Sequence, residues 1–238
     1  MIVDNFDTYG QFVFDTRTDT IHSVELLARP RNARKRIDLD TFFELVEDES
    51  LVQWFICQVK QGHQFQQLTG IHPHINADRR ILESTTLVSM LGVHTEYDMT
   101  LEITQVQGLP AVERIKKLRE CKAHHVRVAL DDYTLDNNMY DIAEYEFAMI
   151  KLDRTMLIRA ETDYQYAKRL KDLVALFPDT EFVVEGVENA HQVRMMESLG
   201  FHLFQGYYFH KAELLSDLTE RYLLPKGVPR DKVPPATI

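Results

Sequence analysis

Apolar and β-branched residues gather in short runs along this chain, separated by longer stretches whose apolar positions recur every three or four residues. The short runs are 12–17 (FVFDTR), 21–29 (IHSVELLAR), 71–77 (IHPHINA), 98–104 (DMTLEIT), 125–133 (HVRVALDDY), 147–153 (FAMIKLD), 181–187 (EFVVEGV) and 203–209 (LFQGYYF). Their length and residue types predict strands. Helical periodicity covers 39–65, read as two helices divided near Glu49–Ser50, and then 81–91, 110–121, 162–177, 189–200 and 211–224. Strands alternating with helices of this length imply an α/β fold of βα units around a mostly parallel sheet. Eight strand candidates favour a closed, modified (β/α)8 TIM-like barrel over an open doubly wound sheet. The first two runs are joined closely enough to form an antiparallel hairpin instead of a βα unit, giving one antiparallel strand near the N-terminus. Four of the eight prolines fall in the last fifteen residues, so 225–238 reads as an irregular tail and 1–224 as one domain.

Composition narrows the function more than the fold. The 238 residues suffice for one barrel of this kind, and 45% hydrophobic residues supply its core. A net charge of −10, from 27 basic and 37 acidic side chains, argues against a nucleic-acid polymer as partner. A small anionic ligand is still compatible, because bound divalent cations reverse the local field. The N-terminus has no basic segment followed by an apolar one, and no run approaches the ~18 apolar residues of a membrane helix. The expectation is a cytoplasmic protein without a membrane contact. Cys57 and Cys121 have no metal-binding spacing and read as two reduced thiols.

The chemistry lies where the strands end. The second run closes on Glu25 and Arg29, the third on Asn76, and the fourth on Glu102 and Thr104. The fifth closes on Asp131–Asp132, the sixth on Lys151 and Asp153, the seventh on Glu185 and Glu188, and the last on Gln205–Gly206. A buried strand does not finish in a charge unless that charge has a partner. In a barrel the carboxyl ends of the strands form one rim, so these side chains converge. Several carboxylates and an amide oxygen crowd together only when cations neutralise them, and all-oxygen ligands suit Mg²⁺ or Mn²⁺ rather than zinc. The adjacent Asp131–Asp132 pair suits a bridge between two metals ~3.5–4 Å apart, an arrangement used for phosphodiester cleavage. Lys151 would orient an attacking water or stabilise developing charge, and Arg29 has the fork that matches a phosphate oxygen. His72 and His74 share a face with Asn76, but no other nitrogen or sulfur ligand completes a zinc set. The basic stretch 29–36 reads equally as an attractor for an anion or as a solvated loop. Trp54, Phe55 and Met195–Met196 read as core.

The ordered segments VELLAR, HINAD, LEITQ, ALDDY, IKLD, VVEGVEN and FQGYYF resemble the EAL domain of bacterial cyclic di-GMP signalling, over residues 10 to 222. The signature itself reads Glu25-Leu26-Leu27, with leucine at the middle position. The resemblance implies a barrel that hydrolyses cyclic di-GMP to linear pGpG with Mg²⁺ or Mn²⁺. It implies Glu25, Asn76, Glu102 and Asp131 as ligands of one metal, and Asp131, Asp132 and Glu185 around a second. It also implies Lys151 on the catalytic water, Glu185 as general base, and Glu25 within the catalytic set. Leu27, Arg29, Gln205, Asp153 and Glu188 are implied on the substrate side. A homodimer and a regulatory protein partner are expected on the same grounds. Two departures stand out. Gln105 replaces the family's glutamate after the fourth strand, and residues 133–139 lack the glycines of the family's loop after the paired aspartates. These departures favour an alternative, a cyclic di-GMP receptor with weak or no turnover that signals through a protein partner. A scaffold acting through protein contacts alone is the third reading.

Overall fold

The alternation along the chain folds into a closed barrel in the computed structural model, which describes residues 5–31, 39–84, 98–104, 111–124, 126–136, 145 and 147–224. The strands are β1 (Phe6–Asp15), β2 (Thr20–Pro30), β3 (His72–Asn76), β4 (Thr100–Ile103), β5 (Arg127–Tyr133), β6 (Met149–Leu152), β7 (Glu181–Val184) and β8 (Leu203–Phe204). β2 to β8 pair in chain order and in parallel, and β1 runs antiparallel between β8 and β2, sealing the ring. The hairpin is therefore the connection that forms. Its turn is held by Asp15, whose carboxylate accepts from Arg17 N at 2.9 Å and pairs with the Arg17 guanidinium at 2.8 Å.

Two strands differ from expectation. β1 begins at Phe6, six residues early, because Phe6, Thr8 and Gly10 alternate with polar Asp7 and Gln11 and do not form an apolar run. A ninth strand, β9 (Glu213–Leu214), lies within the stretch 211–224 expected to be helical. β8 covers only Phe14–Asp15 of β1, and the open edge further along pairs Tyr9–Gly10 with Leu214 and Glu213.

The described helices are α1 (Leu39–Leu45), α2 (Asp48–Thr69), α3 (Arg79–Glu83), α4 (Ala111–Ala123), α5 (Arg154–Thr162), α6 (Tyr164–Leu176), α7 (Ala190–Ser198) and α8 (Leu215–Arg221). The break between α1 and α2 falls at Val46–Glu47, not at Glu49–Ser50. Asp48 and Glu49 instead occupy the first turn of α2, where the helix dipole favours acidic side chains. α5 was not expected, since only Met156, Leu157 and Ala160 of its nine residues are buried. Asp163 ends α5 and starts α6, its carboxylate accepting from Tyr166 N at 3.0 Å.

Two apolar layers hold the barrel together. Inside it, Val13, Ala129, Met149, Val183 and Leu203 form a small buried plug. Outside, residues of opposite parity such as Leu26, Ile75, Leu101, Leu130, Ile150 and Val184 pack under the helices in the larger core. Among the described residues no helix is long and apolar enough to cross a membrane. The expected tail 225–238, the basic residues 32–36, Gln105 and loop residues 137–139 lie outside the described residues.

Candidate active site

Inward positions step by two along a strand, and the step after the apolar plug is charged. Lys151 follows Met149, Asp131 follows Ala129, Glu185 follows Val183 and Gln205 follows Leu203, two residues on in each case. Glu25 on β2 and Glu102 on β4 complete the layer. At its centre is the Lys151 ammonium, 1% exposed. Its Nζ lies 3.0 Å from Glu25, 3.0 Å from Glu102, 3.2 Å from Asp131 and 2.9 Å from Glu185. Three ammonium protons thus face four carboxylates.

The surrounding amides orient the acids. Gln205 Nε2 donates to Glu25 Oε2 at 2.7 Å, and Asn76 Nδ2 donates to Glu25 Oε1 at 3.1 Å. Metal coordination by Asn76 calls for its oxygen, which a flip of the terminal amide supplies. Asp132 adopts a left-handed backbone, φ 52, where the β5–β6 register breaks between Leu130 and Tyr133. This bulge brings consecutive aspartates to one site, although strand alternation alone would send them to opposite faces.

Burial dominates the ionisation of the layer. It pushes the Glu185 carboxyl up to about 8, with Asp131 and Glu25 adding to the rise against the pull of Lys151. It raises Asp132 to about 6, with neighbouring Asp131 contributing. Glu102 is held well above the usual carboxylate range by burial and by Glu25, and Asp131 is raised chiefly by burial. At Glu25 burial is outweighed by Lys151, Gln205 and Asn76, so its carboxyl is lowered. Burial alone would depress Lys151, but the surrounding acids hold it well above its ordinary value.

This donor set fits divalent cations. Oxygens of Glu25, Glu102 and Asp131 lie within 4.8 Å of one another, as do those of Asp131, Asp132 and Glu185, so two groups share Asp131. Among the described residues Asp131 Oδ1 has only its ion pair with Lys151, and the buried Gln205 Oε1 has no hydrogen-bond partner. Both are acceptors facing a layer that needs positive charge.

Two cavities open beside the layer, of about 330 and 320 Å³, and Glu25, Leu27 and Arg29 line both. The first is walled by Leu39, Phe43 and Trp54 with Asn76 and Glu102, the second by Arg154, Glu185, Glu188 and Tyr207. Trp54, expected as core, is indeed buried against Phe6 but also lines the first cavity. Arg29 donates to Ala28 O at 2.9 Å within this rim. Glu188 pairs with Arg154 at 2.6 Å, and Asp153 caps α5 by accepting from Thr155 N at 2.9 Å. Arg154, unnoticed in the sequence, has its stem over Gly186, where a Cβ would come within 2.5 Å of it. At Gly206 a Cβ would lie 2.2 Å from Val187 O, so only glycine lets that chain pass beside Gln205. His74 was also missed as part of the layer, although its parity with Asn76 pointed there.

A model of the EAL domain matches residues 2–212. The probable cyclic di-GMP phosphodiesterase PdeD of Escherichia coli K12 is 25% identical over 97% of this chain, which spans 45% of that protein. The other curated relatives matched, also named cyclic di-GMP phosphodiesterases, are covered over smaller shares of their length. Among solved structures, the EAL enzyme Bd1971 bound to cAMP and cyclic di-GMP superposes with a TM-score of 0.81 at 18% identity, over 93% of this chain and 65% of that one. An EAL domain protein from Listeria monocytogenes EGD-e gives 0.77 at 24% identity, over 93% and 94%. These structural likenesses establish the barrel.

Proposed function

The chain belongs to the EAL domain family, and on that premise we propose that its charged layer hydrolyses cyclic di-GMP to linear pGpG with Mg²⁺ or Mn²⁺, in cytoplasmic second-messenger signalling. The observation that carries this reading is the ring of acids around Lys151, flanked by two cavities. Glu25, Glu102, Asp131, Asp132 and Glu185 bring five negative charges when ionised, which two divalent cations and Lys151 balance. Glu25, Glu102 and Asp131, with the Asn76 oxygen, would hold one cation. Asp131, Asp132 and Glu185 would hold the other. When bound, such cations supply charge stabilisation at the phosphate and a more acidic water.

The protein's own groups account for the rest. A phosphodiester straddling the layer puts its bases towards the two cavities and its free phosphate oxygens near Arg29, whose guanidinium can take two of them. Glu185 accepts a proton from the attacking water. The water oxygen bonds to phosphorus, the bond from phosphorus to the 3′ oxygen breaks, and that oxygen takes a proton from solvent as it leaves, while Glu185 returns its own to solvent. One of two phosphodiesters is opened, giving pGpG. Lys151 keeps the acids spaced, and with cations carrying part of their charge one of its N–H donors would be free to hold the water. Leu27, Gln205, Asp153 and Glu188 border the substrate in this reading.

The binding-only alternative rests on Gln105, outside the described residues, and on loop 133–139, described only to Asp136, whereas Glu25, Glu102, Asp131 and Glu185 gather around Lys151 with Asp132 beside Asp131. We therefore favour the enzyme. Purified protein incubated with cyclic di-GMP and Mg²⁺ or Mn²⁺ should yield pGpG, and Glu25→Ala should abolish it. Binding without product would hand the reading to the receptor, and product surviving Glu25→Ala would remove the site. The expected homodimer belongs to the same proposal, and light scattering on the purified chain tests it. Any regulatory partner would act on that assembly.

A further inference from the structure

Two histidines on β3, His72 and His74, take no part in the hydrolysis proposed above. They have different surroundings. His72 faces the N-terminal mouth of the barrel, with its ring nitrogens 2.9 Å from Thr100 Oγ1 and 3.0 Å from Arg127 Nη2. His74 lies one inward step higher and is 1% exposed. Its Nδ1 is 2.8 Å from Oε1 of Glu102, also 1% exposed, while Oε2 of the same carboxylate is 3.0 Å from Lys151 Nζ. Once Glu102 is ionised, as a metal ligand is, it can only accept, and His74 Nδ1 then carries the proton between them. The His72 ring closes edge-on against His74 at 5.4 Å, leaving His74 little room to turn away.

We propose that His74 is a positioning residue that holds Glu102 as a one-oxygen ligand. Oε1 is occupied by the imidazole, and Oε2 is presented to the cation that Glu25 and Asp131 share. A carboxylate without such a partner can rotate or chelate through both oxygens, and partners of this kind set metal affinity by orienting the ligand. The inference rests on the metal-dependent reading above. Nothing in it requires His74 to touch metal or substrate.

Two isosteric variants test it. In His74→Asn the amide nitrogen falls where imidazole Nδ1 was, whereas in His74→Gln it falls one bond further out, near the position of Nε2. Mn²⁺ affinity is read by calorimetry on folded, chelator-treated protein, with thermal unfolding as the check on folding. Kinetics at rising Mn²⁺ then separate metal affinity from KM for cyclic di-GMP. His74→Gln should weaken Mn²⁺ binding about 10- to 100-fold, and His74→Asn should stay within about threefold of wild type. KM at saturating Mn²⁺ should be unchanged in both. Equal losses in the two variants, or none in either, would overturn the proposal. If the glutamine variant does not fold, a tenfold or larger loss in His74→Asn overturns it alone. Wild type that binds no Mn²⁺ would instead sink the metal-dependent reading, and this inference with it.

Discussion

One buried ammonium among four carboxylates sets the properties of the site at the scale of the residue. Lys151 can neutralise one acid, so the remaining ones either take up protons or attract cations. Burial places Glu185 near 8 and Asp132 near 6, above their ordinary 4.5 and 3.8. Glu102 and Asp131 shift in the same direction. His72, His74 and His210 are shifted the other way by burial, below their ordinary 6.5, and oppose the acids up to that value. Above it, and up to the raised values, the folded chain binds more protons than the unfolded chain. Stability must then fall as pH rises through that window. The melting temperature of chelator-treated protein should therefore drop between about pH 6.5 and pH 8, measured by calorimetry in matched buffers. Saturating Mn²⁺, which selects the ionised acids, should remove or reverse the drop. A chelated protein whose melting temperature climbs over this range would contradict the account. The acids of the layer were legible in the sequence because charges at the ends of apolar runs are costly. His74 was not, since a histidine inside a strand has many structural uses and only the folded barrel shows Glu102 beside it.

At the scale of the element, strand parity is what turns sequence into a site. Residues two apart share a face, so a plug of Val, Met, Ala and Leu is followed by Lys, Asp, Glu and Gln on neighbouring strands. The break in parity at Asp132 needs a bulge with positive φ, which no run of residues announces. The same limit explains the missed elements. β9 exists because β8 is too short to cover β1, a tertiary fact, and β1 extends past its apolar part because pairing with β2 carries polar residues along. α5 is short and mostly exposed, so it lacks a long apolar stripe. Its end depends on Asp163, which also opens α6. Asp163→Ala should destabilise the protein by about 1 kcal/mol, read from the urea midpoint at unchanged slope. Unchanged stability would mean that the α5–α6 junction is held by other contacts.

The whole molecule adds closure. Glu25 and Gln205 are 180 residues apart yet 2.7 Å from each other, because β1 seals β8 to β2. The ring carries five acids from four strands or their ends to one layer, on a chain whose net charge is already −10. Such a layer is stable in its ionised form only with added positive charge, and the shared position of Asp131 ties its two halves together. Counting bound metal is thus the most direct test. Titration of the chelator-treated chain with Mn²⁺ should give two ions per chain, and Asp131→Asn, which alters both groups at once, should weaken both. No bound Mn²⁺, or two ions bound with undiminished affinity in Asp131→Asn, would contradict the account.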